Sequence, residues 1–251
     1  MGNNKIKFCY LCGKATPKPN TRDHIPPKSL FPKGNWNNQE RLTMPTHFEC
    51  NKAYSDDEQY FSTLIIPSGI DIFYDAREAF KPVKRNWERE AGLKQLSSIL
   101  KKAIPIELKT KKGHEKAIGI YHDESKTKRV VWKMARGIVS YDTHCYVNEE
   151  KEKLLFHYDT LDLQALIKSK DNKEAFAGLF TKAAIHYQPI EHAIIRRCYY
   201  LVGEGDNSIS VCALIAIMIY TSSYIVLTDI TVEKSSLPTN LILLAWPNTI
   251  L

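Results

Sequence analysis

Along residues 1–54 apolar positions are scattered among Pro, Gly, Asn, Cys and charged residues, with no period long enough to bury a face. A segment of that texture cannot hold itself together by burial and calls for a staple. From Ser55 the pattern changes. Ser55-Asp56-Asp57-Glu58 has the spacing of a capping box, with Ser55 as the cap and Glu58 reaching back to it. Tyr60, Phe61, Leu64 and Ile65 give the helix behind it an apolar stripe, which Pro67-Ser68-Gly69 ends. The spacing predicts two more helices, over 70–81 up to Pro82 and over 86–102 ahead of Pro105. Leu93, Leu96, Ile99 and Leu100 carry the stripe of the second.

Beyond Pro105 the texture shifts again. A strand is predicted over 117–121 and a helix over 129–141, with Val130, Val131, Met134, Ala135, Ile138 and Val139 on one face. Strands follow over 194–202, 211–220 and 224–232, the first two joined by the hairpin residues Gly203 to Asn207. The apolar run from Ile209 to Thr228 is about the length of a membrane span, by the usual ~20-residue rule. Thr221-Ser222-Ser223 interrupts it, and both sides are rich in β-branched residues, so it reads as two buried strands and a turn. There is no internal repeat. The expected fold is α+β: a small N-terminal module over 1–62, a helical connector over 63–105, and an α+β domain over 106–251 whose role the pattern does not assign.

The 251 residues carry a net charge of +7 with a pI near 8.9, which suits a polyanion without requiring one. Six cysteines are too few and too scattered for a disulfide scaffold, and residues 1–13 hold no apolar leader. The expectation is a reduced, cytoplasmic setting with no membrane partner.

Four of the charged and sulfur residues have the spacing of a metal knuckle. Cys9-Tyr-Leu-Cys12 and His47-Phe-Glu-Cys50 each separate two ligands by two residues, so each pair can aim at one ion. Three thiolates and an imidazole make a closed tetrahedral site, the structural kind that zinc prefers. Taken alone, Cys9 and Cys12 would also read as a chance or redox pair. A redox pair should open a helix, whereas Gly13 to Asn20 is turn-like.

Between the pairs lies Thr21-Arg-Asp-His-Ile-Pro-Pro-Lys-Ser-Leu-Phe31. The string CxLCG … RDHIPPKSLFP … CNK resembles the HNH endonucleases, which have a ββα-metal core, and specifically those with an accessory zinc knuckle. The likeness covers about Phe8 to Phe61. Bacterial members with a DHxPPK string and a CN…SxDExYF ending are especially similar, and Cys50-Asn51 through Ser55 to Phe61 follows that ending.

The resemblance implies roles by position. His24 corresponds to the general base that activates water, and Asp23 to the neighbouring carboxylate on a catalytic divalent metal, magnesium or else manganese. Asn51 corresponds to the second protein ligand of that metal. The central Asn, which would hold the His24 ring, is Asn38, with Asn37 and Asn35 as rivals. The chemistry suits the residue types: a neutral imidazole, with an ordinary pKa of ~6.5, is a competent base near neutrality. A hard dication on two oxygen ligands keeps open positions for phosphate. Asp23 and His24 are adjacent, so a regular strand would turn them to opposite faces; a kink is expected, with Pro26-Pro27 to impose it.

Arg22, Lys28, Lys33, Arg41 and Lys52 would give the site a basic rim, and Trp36 is a candidate for stacking on a base. In the C-terminal half, Trp132 to Tyr141 also resembles a segment of the same bacterial proteins, without chemistry attached. His144, Cys145, His157, His186, His192 and Cys198 read as ordinary structural residues. The expected function is an endonuclease acting on nucleic acid, DNA above all, in restriction or phage defence by analogy. The C-terminal domain would serve recognition or protein docking. A non-catalytic zinc module that binds nucleic acid or a protein, and an RNase with the same core, are the alternatives.

Overall fold

In the computed structural model the described residues are 6–16, 21–32, 42–71, 74–110, 113–121, 123–147, 152–159, 184–187, 193–220, 222–236 and 243–245. Strands β1 (Thr21–Ile25) and β2 (Leu42–Thr46) form an antiparallel ribbon in which Asp23 faces Met44 and His24 faces Thr43. The short helix α1 (Phe48–Lys52) follows one residue later, giving the order ββα. The long helix α2 (Ser55–Ser68) packs against the Lys28–Leu30 turn and against α3 (Tyr74–Trp87), and α4 (Glu90–Leu100) lies against α3 in turn. Strands β3 (Ala103–Thr110) and β4 (Gly113–Ile120) make a separate antiparallel hairpin ahead of the central helix α5 (Glu124–Thr143). The remaining described strands, β5 (Glu152–Asp159), β6 (Ala184–Tyr187), β7 (Ala193–Glu204), β8 (Ser208–Ile219), β9 (Ser222–Glu233) and β10 (Leu243–Ala245), share one sheet. Its main order is β10-β7-β8-β9-β5, with β6 also paired to β7. The fold is α+β.

The apolar run that had the length of a membrane span is the strand pair β8–β9. Val211, Ala213, Ile215, Ile217 and Ile219 of β8 are all buried at alternate positions, so they share the core-facing side of a central antiparallel strand. No helix among the described residues is long and apolar enough to cross a membrane.

Helix α5 connects the sheet to the N-terminal ribbon. Its buried face includes Val130, Val131, Met134, Ala135, Ile138 and Val139, the stripe visible in the sequence. Asp123 caps it, accepting from the Ser125 and Lys126 N–H groups, so the helix begins earlier than the apolar spacing alone indicates. The Tyr220 hydroxyl at the end of β8 donates to the Leu30 carbonyl at 2.9 Å, and the Phe61 and Tyr224 rings meet at 5.6 Å. Cys9, Cys12 and Cys50, helices α2, α3 and α5, and the sheet thus contribute to one contiguous core.

Three expectations are corrected. Pro82 lies inside α3 and does not stop a helix at Lys81. The proline deletes one backbone hydrogen bond, while Ala76, Ala79 and Val83 are buried along the same face. The helix expected over 86–102 is split, because the chain turns back at Glu88 and Arg89. There Gly92 comes so close to Asn86 that a Cβ would stand 1.9 Å from its carbonyl oxygen. Finally, Ser55 does not cap α2: Tyr54 is the N-cap, with no side-chain capping bond, and Glu58 is committed to a tertiary partner.

Candidate metal centre

Cys9, Cys12, His47 and Cys50 each offer a ligand atom, and these atoms all lie within 4.8 Å of one another. The first pair sits on a tight turn in which Cys12 and Gly13 both donate backbone N–H bonds to the Cys9 carbonyl, at 3.3 and 2.8 Å. His47 caps α1 and Cys50 stands one helical turn on, so the strand-to-helix junction supplies the second pair. His47 Nδ1 lies 3.4 Å from Cys12 Sγ and 3.8 Å from Cys50 Sγ. Tetrahedral zinc with bonds of 2.0–2.3 Å would separate its ligands by roughly 3.4–3.8 Å, so the spacing fits. His47 Nε2 lies 3.0 Å from the Ala15 carbonyl, a partner that selects the tautomer leaving Nδ1 free for a metal. The cluster can hold a structural metal such as zinc.

The thiols are not equivalent. Burial works against ionisation of Cys9, but the Thr46 hydroxyl and the backbone N–H groups of His47, Leu11 and Cys12 outweigh it, bringing the thiol to about 6. Cys50 is pushed up to about 12 by burial, by the charge on Cys9 and by its contacts with the other thiols.

A second cluster lies beside the first. Asp23 is buried on β1, and its Oδ2 accepts from the Tyr10 hydroxyl and stands 2.8 Å from Lys133 Nζ of α5. The same ammonium donates to Asn51 Oδ1 of α1 at 2.8 Å and to the Glu58 carboxylate of α2. Lys133 is 1% exposed, and it lies 5.1 Å from the centre of the Tyr54 ring. Burial drives the Glu58 carboxyl above its ordinary value, against the pull of the Lys133 charge, and burial beside the Asp23 charge lifts the Tyr10 phenol far up.

The two clusters are joined through the backbone. Tyr10 lies between the two knuckle cysteines, and Asn51 directly follows the last of them. A metal that fixes Cys9, Cys12 and Cys50 therefore also fixes the partners of Asp23 and Lys133.

The sequence-predicted residues divide accordingly. Asp23 and Asn51 are brought together, and the four knuckle ligands converge. His24 occupies the next strand position, half-buried and paired with Thr43, in a regular stretch of β1. The kink expected between Asp23 and His24 is absent, since ribbon pairing runs unbroken from Thr21 to Ile25. Asn38, Asn37, Asn35, Trp36, Lys33 and Arg41 lie outside the described residues. Arg22 is exposed and bonded to Thr43 through Nε at 2.8 Å and a terminal nitrogen at 3.0 Å, while Lys28 and Lys52 are exposed.

Sequence reasoning missed Tyr10, Glu58 and Lys133. Glu58 was assigned to a capping box, the local alternative for an acidic residue at that position. Lys133 did carry a signal: it sits three residues after Val130 and four before Gly137, a cation set into an apolar stripe. Arg136, equally buried, donates to the Tyr54 hydroxyl at 2.6 Å. No protein-family model, curated protein or solved structure matches this chain.

Proposed function

We propose that this chain is a metal-dependent nuclease of the HNH type, hydrolysing phosphodiester bonds in nucleic acid, with DNA as the expected substrate and bacterial restriction or phage defence as the setting. The observation that carries this reading is the convergence of Asp23 from β1 and Asn51 from α1 on one cation, in ββα order, beside a Cys/His cluster of zinc geometry.

In this reading zinc at Cys9, Cys12, His47 and Cys50 is structural and holds the ribbon to α1. Asp23 and Asn51 would hold the catalytic dication, whose chemistry is to stabilise charge on the phosphate and the leaving oxygen. The donor set fits, being one carboxylate and one amide oxygen with Glu58 within the same cluster. His24 accepts the proton of the attacking water on its imidazole, and exposed Arg22, Lys28 and Lys52 contribute positive charge for the backbone phosphates.

A second reading has one observation in its favour. Lys133 already pairs with Asp23 and donates to Asn51, an arrangement that holds these side chains in place without a metal and suits a non-catalytic zinc module binding nucleic acid or protein. Purified protein incubated with magnesium or manganese and supercoiled plasmid, single-stranded DNA or RNA separates the two. The nuclease reading expects nicking that a chelator stops. Intact substrate under every condition, from folded and zinc-loaded protein, would replace it with the binding module.

A further inference from the structure

We propose that the Lys133 ammonium is a resident cation seated at the catalytic-metal position, and that a divalent ion binds Asp23, Asn51 and Glu58 only by displacing it. The inference deepens the nuclease reading and rests on it. A lysine ammonium has three donors and no acceptor; it donates to Asn51 Oδ1 and Glu58 Oε1 and forms an ion pair with Asp23 Oδ2 at 2.8 Å, so three oxygens surround the charge. The three oxygens come from β1, α1 and α2, while the cation comes from α5, far along the chain. Four separate elements therefore meet at one buried point.

Ammonium and metal cannot share this point. Magnesium requires oxygens at about 2.0–2.1 Å, so an ion on these ligands would stand within contact distance of an ammonium held at 2.8 Å by the same atoms. Two like charges that close, in a buried site, repel strongly. The charge balance favours exchange. Two carboxylates and one ammonium leave a net −1, whereas a dication neutralises both carboxylates. The lysine head sits on a flexible four-carbon stem, so its departure takes side-chain rotation together with a local opening of the packing that leaves it 1% exposed. Glu58 then becomes a third oxygen ligand, which strengthens an otherwise two-ligand site. The consequence is a latch: at low metal the ammonium keeps the carboxylates paired and the site closed, and metal must compete for it.

Manganese titration of the full-length, zinc-loaded chain, followed by electron paramagnetic resonance, tests this. Lys133→Met should bind Mn2+ about tenfold or more tighter than wild type, the scale on which groups beside metal ligands move affinity. Glu58→Gln in that background should return much of the gain. Equal or weaker Mn2+ binding by Lys133→Met, or a gain that survives Glu58→Gln intact, overturns the proposal. Should Lys133→Met fail to fold, wild type decides: reductive methylation of Lys133, slow in the metal-free protein because it is 1% exposed, should accelerate several-fold on Mn2+ saturation. Unchanged labelling with Mn2+ bound overturns it. Cleavage that persists alongside either negative result removes the latch and leaves the nuclease standing. Absence of both Mn2+ binding and cleavage removes both.

Discussion

The Lys133 ammonium of α5 stands 2.8 Å from the Asp23 carboxylate of β1, inside a core that leaves the lysine 1% exposed. That pairing ties the ribbon to the central helix and makes Asp23 depend on an element far from it in sequence. Removing only the acid would leave a buried ammonium with one fewer counter-charge, a change that typically costs ~3–5 kcal/mol. Asp23→Ala is therefore expected to lower the melting temperature markedly even with zinc retained. Asp23→Asn, which keeps an oxygen for Lys133, should be milder. Thermal unfolding of the two variants side by side checks the order.

His24 is a different case. It lies outside that buried cluster, half-exposed on the ribbon and paired with Thr43 through the backbone. Under the nuclease reading His24→Ala should cut at least ~10²–10⁴-fold more slowly, as loss of a general base does, with stability nearly unchanged. Zinc content, melting temperature and nucleic-acid affinity should stay at wild-type levels. A variant that cleaves at the wild-type rate removes His24 from the chemistry.

Zinc binding should carry a proton signature. At neutral pH Cys9, at about 6, is already ionised, whereas Cys50, at about 12, still holds its proton. Zinc ligands must be thiolates, so binding at pH 7 releases the Cys50 proton. The apparent affinity should fall as pH drops, and fall faster below about 6, where Cys9 also becomes protonated and a further proton must leave. Calorimetric titration of the zinc-free protein in buffers of different ionisation enthalpy measures the proton count. A binding enthalpy indifferent to buffer would contradict the thiol assignments.

Loss of a knuckle ligand should spread further than the first sixty residues. Structural zinc contributes ~10–16 kcal/mol in isolated zinc-finger peptides, against ~5–15 kcal/mol for a whole domain's stability. Cys50→Ala should therefore release the metal and unfold the ribbon. Because Leu30 is bonded to Tyr220, and Tyr10 and Ile25 pack on Gly137, the sheet and α5 should lose protection as well. Hydrogen exchange read along the chain distinguishes this from unfolding confined to the ribbon.

The packing at Gly137 can be tested by itself. A Cβ there would stand 1.8 Å from Ile25 Cδ1 and 3.2 Å from Tyr10 Cε2. Alanine improves helix propensity by up to ~1 kcal/mol, but overpacking a buried contact costs ~1–3 kcal/mol, so Gly137→Ala should destabilise. Ile25→Val removes the colliding methyl and should recover part of that loss, although alone it costs ~0.5–1.5 kcal/mol. A double-mutant cycle in which the two effects simply add would disprove the contact.

What could be read from the residues alone was whatever depends on short-range spacing. CxxC and HxxC determine that each pair can aim at one point, because two intervening residues make one tight turn. Strands β7, β8 and β9 were legible because β-branched runs bounded by turn residues have few other uses. The adjacency of Asn51 to Cys50, and of Tyr10 to Cys9, was also written in the chain. Tertiary structure decided the rest, since it depended on which distant elements touch. Pro82 could stay helical once α3 buried its face. Glu58 left its local cap for an ammonium, because a buried charge gains more from a charged partner than from an exposed backbone N–H. Lys133 had no local partner that could mark it, and only the docking of α5 on the ribbon surrounds it with three oxygens from three other elements.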